Sequence, residues 1–157
     1  MNNCWTYKNK DICSVDDIPE EFRLASKLHM IYKITSTNPD FKDYQNHWYI
    51  GKKIFLNTTR VRISKKRKKE LNTKKIFEFK VKESNWKDYY GSSTNEIFKR
   101  LLTNKKYLKR EILMFVDGKT EAAFYEAKYL FSDEGMMHPK CMNGNILNKF
   151  FKNKLKW

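Results

Sequence analysis

Apolar positions alternate with polar ones over several short stretches of the chain and recur at helical spacing over others. Met30-Ile31-Tyr32-Lys33-Ile34-Thr35 is β-branched and aromatic, and predicts a strand that Thr37-Asn38-Pro39-Asp40 then interrupts. His47-Trp48-Tyr49-Ile50 predicts a second strand stopping at Gly51, so the pair reads as a β-hairpin with a long loop. Further on, Phe77, Phe79 and Val81 alternate with Glu78, Lys80 and Lys82, the pattern of a half-buried edge strand with a charged outer face. Trp86 to Ser93 leads into a helix in which Ser93 and Glu96 have capping-box spacing and Ile97, Phe98, Leu101 and Leu102 form an apolar stripe. Leu108 to Val116 predicts a third core strand ended by Asp117-Gly118. Thr120 can cap the helix that follows, where Ala123, Phe124, Ala127, Leu130 and Phe131 share one face. Residues 1–28 read as a polar lead-in with a short helix after Pro19, and residues 146–157 as a basic amphipathic helix.

Length and composition then bound the class. One compact domain over residues 1–157 is expected, and 40% hydrophobic with 15% aromatic residues supplies enough core to exclude wholesale disorder. The net charge of +15 points to a polyanionic partner, nucleic acid first. Part of that excess matches the Lys- and Asn-rich composition that AT-rich coding produces. The charge concentrates in an insertion over residues 52–88, where Arg60, Arg62, Lys65, Lys66, Arg67, Lys68 and Lys69 stand almost side by side. Such a run cannot be a buried face; it is either a solvated loop or a grip on phosphates. Cys4, Cys13 and Cys141 are odd in number and lack CxxC spacing, which argues against a disulfide framework or structural zinc and for a reducing cytosol. No apolar run has membrane-spanning length, and Asp11, Asp16, Asp17, Glu20 and Glu21 interrupt any signal-peptide core. A soluble protein of the bacterial host cytoplasm, with no membrane partner, is expected.

The order strand, strand, insertion, helix, strand, helix carries four short signatures. Met30-Ile31-Tyr32 and Tyr49-Ile50-Gly51 sit on the paired strands, Glu126 lies on the last core helix, and Asn143 follows in Met142-Asn143-Gly144. In this order the chain resembles the GIY-YIG nuclease family, with Met30 where the family has glycine. Tyr49 to Lys53, Trp86 to Ser93 and Lys109 to Leu113 are also similar to stretches of phage-encoded homing-type members. The resemblance implies an α+β fold with a small central three-stranded antiparallel sheet flanked by helices. It further implies a Mg²⁺-dependent DNA endonuclease acting on double-stranded DNA with one divalent cation. Glu126 would be the metal ligand, Tyr32 or Tyr49 the general base or water-orienting group, and Arg100 the phosphate-steadying arginine. Asn143 would fix the metal site or a closing turn. A phenol ordinarily titrates near 10, so a base role needs a cationic neighbour, for which Lys53 is the candidate. Arg110, with Arg60 and Arg62, competes for the arginine role and joins the lysines of the insertion as a DNA-binding candidate.

Each residue also has a plainer reading. Glu126 can be a surface ion pair, the tyrosines packed strand residues, Arg100 a solvated helix residue and Asn143-Gly144 a simple turn. At the level of the whole chain, the alternatives are a non-catalytic DNA- or RNA-binding protein that keeps the nuclease scaffold, and a small protein that binds a host nuclease or polymerase. Activity in Mg²⁺, binding without cleavage, and a recovered protein partner separate the three.

Overall fold

A computed structural model describes residues 4–23, 25, 27–133 and 135–155. The outermost residues of the expected lead-in (1–3) and of the expected C-terminal helix (156–157) lie outside that description. The central strand is β3, Leu28–Ser36, paired antiparallel with β4, Trp48–Ile54, on one side and β7, Leu108–Asp117, on the other. Alternation along β3 sends Met30, Tyr32 and Ile34 into one apolar layer and Ile31 into another. Met30, in the position of the family's glycine, is wholly buried and fills core space opposite Phe115. Leu113 is an extra residue in β7, because Ile31 pairs with Met114 while Tyr32 pairs with Ile112.

The sheet does not stop at three strands. The N-terminal segment, expected as a polar lead-in, folds into β1, Trp5–Tyr7, and β2, Lys10–Ile12, followed by a short helix α1, Glu20–Arg23. This hairpin lies parallel to β7, giving a mixed five-stranded sheet in the order β2-β1-β7-β3-β4. Its two-residue turn has positive φ at both Lys8 and Asn9, a twist that suits tight hairpins. Because Trp5 pairs with Ile12, the flanking Cys4 and Cys13 face each other and are disulfide-bonded, with Cα atoms 4.7 Å apart. The expectation from cysteine number and spacing fails here because the hairpin, not a CxxC motif, brings the thiols together.

Between β4 and the next core element the chain leaves the body. β5, Leu56–Arg62, and β6, Phe77–Glu83, form a separate two-stranded ribbon joined by the six-residue helix α2, Lys65–Glu70. Ser64 caps α2 by accepting from the Arg67 amide. The expected half-buried edge strand is therefore exposed on both faces. At the ribbon's root, Phe55 and Trp86 are buried with ring centroids 4.7 Å apart in a tilted contact, which fixes the arm to the core.

Two helices complete the body. α3, Glu96–Leu101, buries Phe98 and Leu101, and its cap is Asn95, whose Oδ1 accepts from the Phe98 amide at 3.1 Å. Ser93 instead accepts from the Asn95 amide, so the expected Ser93–Glu96 box is displaced. α4, Lys119–Phe131, begins at Gly118 (φ 97°) rather than with a Thr120 cap, and Glu121 accepts from the Asp117 amide at 2.9 Å. It buries Ala122, Ala127 and Leu130 against the second layer, leaving Phe124 and Phe131 exposed. The C-terminal segment is no helix: β8, Asn145–Ile146, and β9, Phe150–Phe151, form a small hairpin followed by a single 3-10 turn. Positive φ at Leu147 and Asn148 makes that hairpin turn, which an amphipathic helix would exclude.

Candidate active site

The site lies along β4, which is the edge strand of the sheet. Tyr49 and Gly51 face the layer that holds Tyr32, while Lys52 faces the layer covered by α4. At an edge the two faces meet, so a phenol from one and a carboxylate from the other can share a rim. Tyr49, Lys52 and Glu126 line one cleft of about 400 Å³. Its other walls are the loop Ser92-Ser93-Thr94-Asn95 before α3 and the closing segment from Asn143 to Asn148.

Tyr32 is 1% exposed, does not line the cleft, and lies behind Tyr49 in the core. Its ring lies 6.2 Å from that of Tyr49 and 5.8 Å from that of Tyr89. The close approach depends on Gly51, which pairs with Tyr32 across the strands: a β-carbon there would lie 2.6 Å from Cζ of Tyr32. Tyr49 packs on Phe98 with ring centroids 4.8 Å apart. Burial, then the neighbouring Tyr49 and Tyr89 hydroxyls, holds the Tyr32 phenol well above the ordinary range. Tyr49 is pushed up to about 12, first by burial and then by Tyr89 and the Glu126 carboxylate, against a lowering hydrogen bond from Tyr32. Both are neutral hydrogen-bonding groups at physiological pH.

Glu126 extends from α4 to an ion pair with Lys52, and both side chains are partly shielded from solvent. Lys52 is the cation that sequence reasoning passed over. Strand alternation carries the signal, since only the lysine on the face opposite Tyr49 can point toward a helix on that face. Lys53 points the other way: its Nζ donates to Asn85 Oδ1 at 2.7 Å and sits 4.1 Å from the Tyr89 ring centroid. It therefore touches the tyrosine cluster through Tyr89, and burial lowers its own pKa.

Asn143 is buried and fully engaged. Its Nδ2 donates to the Ile50 carbonyl at 2.7 Å, and its Oδ1 accepts from the Ile50 amide at 2.8 Å. The side chain thus acts as one more ladder partner for the edge of β4 and closes the cleft.

The arginines divide differently from expectation. Arg100 is exposed on α3, 5.8 Å from the Phe41 ring centroid, and does not line the cleft. Arg110, at 3% exposure, donates to the Lys87 and Tyr89 carbonyls and stacks between Trp5 and Tyr90. It braces the Lys87–Tyr89 backbone and is too enclosed to reach a DNA phosphate, which corrects the expectation of direct contact. Arg60 and Arg62 project from β5, with Lys65, Lys66, Arg67, Lys68 and Lys69 on α2, all outside the cleft.

The donor set bears on the metal. Among the described residues, no group of three or more His, Cys, Asp or Glu side chains could hold an ion. One carboxylate, Glu126, opens on a cleft lined by hydroxyls and amides, which fits a hard, largely hydrated cation such as Mg²⁺. A cage-type zinc or calcium site does not fit.

The fold is an α+β body that brings a tyrosine of the edge strand and a helical carboxylate into one cleft, with a basic arm beside it. Compared with known families, residues 5–151 match the family described as "Putative endonuclease segE, GIY-YIG domain". The chain belongs to the GIY-YIG nuclease family. No curated protein and no solved structure matches it.

Proposed function

We propose that the protein is a Mg²⁺-dependent endonuclease that hydrolyses phosphodiester bonds of double-stranded DNA at the Tyr49–Glu126 rim, in the phage or mobile-element setting that the resemblance implies. The observation that carries this reading is the meeting of Tyr49 and Glu126 in one cleft, although they come from opposite faces of the sheet.

Glu126 would hold the cation, which would supply charge stabilisation at phosphorus and an acidified water. Lys52 lies on the same carboxylate and is placed to meet a phosphate oxygen once the Lys52–Glu126 pair opens. The neutral Tyr49 hydroxyl orients the attacking water or a phosphate oxygen by hydrogen bonding, and Tyr32 holds Tyr49 from below. Asn143 and Gly51 are positioning residues, the first fixing β4 and the second giving Tyr32 its room. The products are a 5′-phosphate and a 3′-hydroxyl.

A second reading, a binding module that keeps the scaffold without turnover, draws on the position of Arg100 outside the cleft. Supercoiled plasmid incubated with the purified protein decides between them. Nicked or linear product that needs Mg²⁺, is lost in EDTA and carries 5′-phosphate ends supports the nuclease. Intact plasmid that is nonetheless bound across Mg²⁺, Mn²⁺ and a broad pH range supports the binding module.

A further inference from the structure

The largest exposed side chains of the ribbon have no core to explain them. Phe79 is 72% and Val81 62% exposed, whereas at the root of the ribbon Leu56 packs on the core. The register shows what surrounds them. Residues directly opposite share a face, so Arg62 stands across from Phe77, Arg60 from Phe79 and Thr58 from Val81. One side of the ribbon therefore carries guanidinium, ring, hydroxyl and methyl groups interleaved. The Arg60 guanidinium lies over the Phe77 ring, 3.8 Å from its centroid, a cation–π contact between residues of the same face. Residues 56–83 hold eleven lysines and arginines against three glutamates, a net +8 of the chain's +15.

We propose that the β5–β6 arm reads duplex DNA, laying the face of Thr58, Arg60, Arg62, Phe77, Phe79 and Val81 against base edges in a groove while the α2 lysines hold the adjacent backbone. The inference deepens the nuclease reading and takes from it only the substrate. Charge decides the partner: a net +8 over 28 residues suits a protein–DNA interface, which is strongly positive. Shape decides the form of nucleic acid. A two-stranded ribbon enters the B-form major groove, roughly 12 Å wide, but not the deep, narrow groove of A-form RNA. Seven-residue strands reach on the order of 24 Å at ~3.4 Å per residue, enough to span several base pairs. The groups suit the task as well, since guanidinium pairs with guanine edges and apolar side chains pack on thymine methyls. Finally, the arm continues directly from β4, four residues beyond Lys52, and is rooted by Phe55, Trp86 and the Ser84–Ile54 hydrogen bond.

The test is fluorescence anisotropy with labelled B-form duplex, the full chain carrying Glu126→Ala, and EDTA to stop cutting. Arg60→Gln, and separately Phe79→Ser with Val81→Thr, are expected to weaken duplex binding about tenfold or more without flattening the salt dependence. Replacing Lys65, Lys66, Lys68 and Lys69 by serine instead lowers the salt slope. Apart from the half-buried Lys68 these side chains are exposed, and thermal melts matching the parent confirm that the fold is intact. Duplex binding unchanged in the arm variants overturns the inference. So does a wild-type dimer that the arm variants dissolve with duplex binding unaltered, or tighter binding to single strands or RNA than to duplex. If wild type never cuts plasmid yet arm variants lose duplex binding, the nuclease reading fails and the arm stands. If arm variants bind and cut like wild type, the arm fails and the nuclease stands.

Discussion

At Gly51 a β-carbon would lie 2.6 Å from Cζ of Tyr32 and 3.1 Å from Tyr49, and neither ring can retreat through the packing of Phe98 and Tyr89. Gly51→Ala is accordingly expected to cost about 1–3 kcal/mol by overpacking, read as a lower urea midpoint; a variant as stable as wild type contradicts the contact. The two buried phenols also set a pH limit. Their pKa values are raised in the fold, so below about pH 10 both folded and unfolded chains keep the protons and the contribution to stability is complete. Above that the unfolded phenols ionise while the folded ones do not, and stability falls up to about pH 12, the folded value of Tyr49. Thermal melts from pH 8 to 12 check this, and Tyr32→Phe should flatten the decline. Tyr32, Tyr49 and Glu126 stood out in the sequence through a family pattern on two strands and a helix; the structure brings Tyr49 and Glu126 into one cleft and leaves Tyr32 behind it. Lys52 was not, since choosing it over Lys53 requires knowing which sheet face α4 covers. Arg110 was not either: a charged residue in a strand reads as exposed until Trp5 arrives over it from a distant hairpin.

Elements with long periodic patterns were legible, and short ones were not. β3, β4, β7 and α4 each present enough turns or alternations to declare themselves, whereas the three-residue strands β1 and β2 do not. They exist because β7 offers them an edge, a tertiary cause that local propensity does not record. The same holds at the C-terminus, where the apolar spacing of Ile146, Leu147, Phe150 and Phe151 fits a helix until the turn at Leu147 and Asn148 is seen. On the far edge, Asn143 supplies what a further strand would. Asn143→Ala leaves the Ile50 amide and carbonyl without those partners in a buried place, with an expected loss of about 2–4 kcal/mol. A drop in melting temperature of several degrees is the readout, and a melt within a degree of wild type contradicts the strand-like role.

The molecule as a whole divides between a body that carries the candidate site and an arm that carries more than half of the net charge. β4 links them: its Tyr49 and Lys52 line the cleft and its end leads into the ribbon. With a net charge of +15, DNA affinity should fall steeply and linearly in a plot of log K against log salt, and a flat plot contradicts a phosphate grip. The basic footprint was legible at this scale from composition alone, but its shape was not, because lysine counting cannot separate a loose loop from a ribbon with one interleaved face. The most direct test of the account is single-turnover cleavage of a bound duplex by Glu126→Gln beside wild type, with binding measured in parallel. The account predicts cleavage reduced by roughly 10²–10³-fold or more at unchanged affinity. Cleavage within a fewfold of wild type would contradict it.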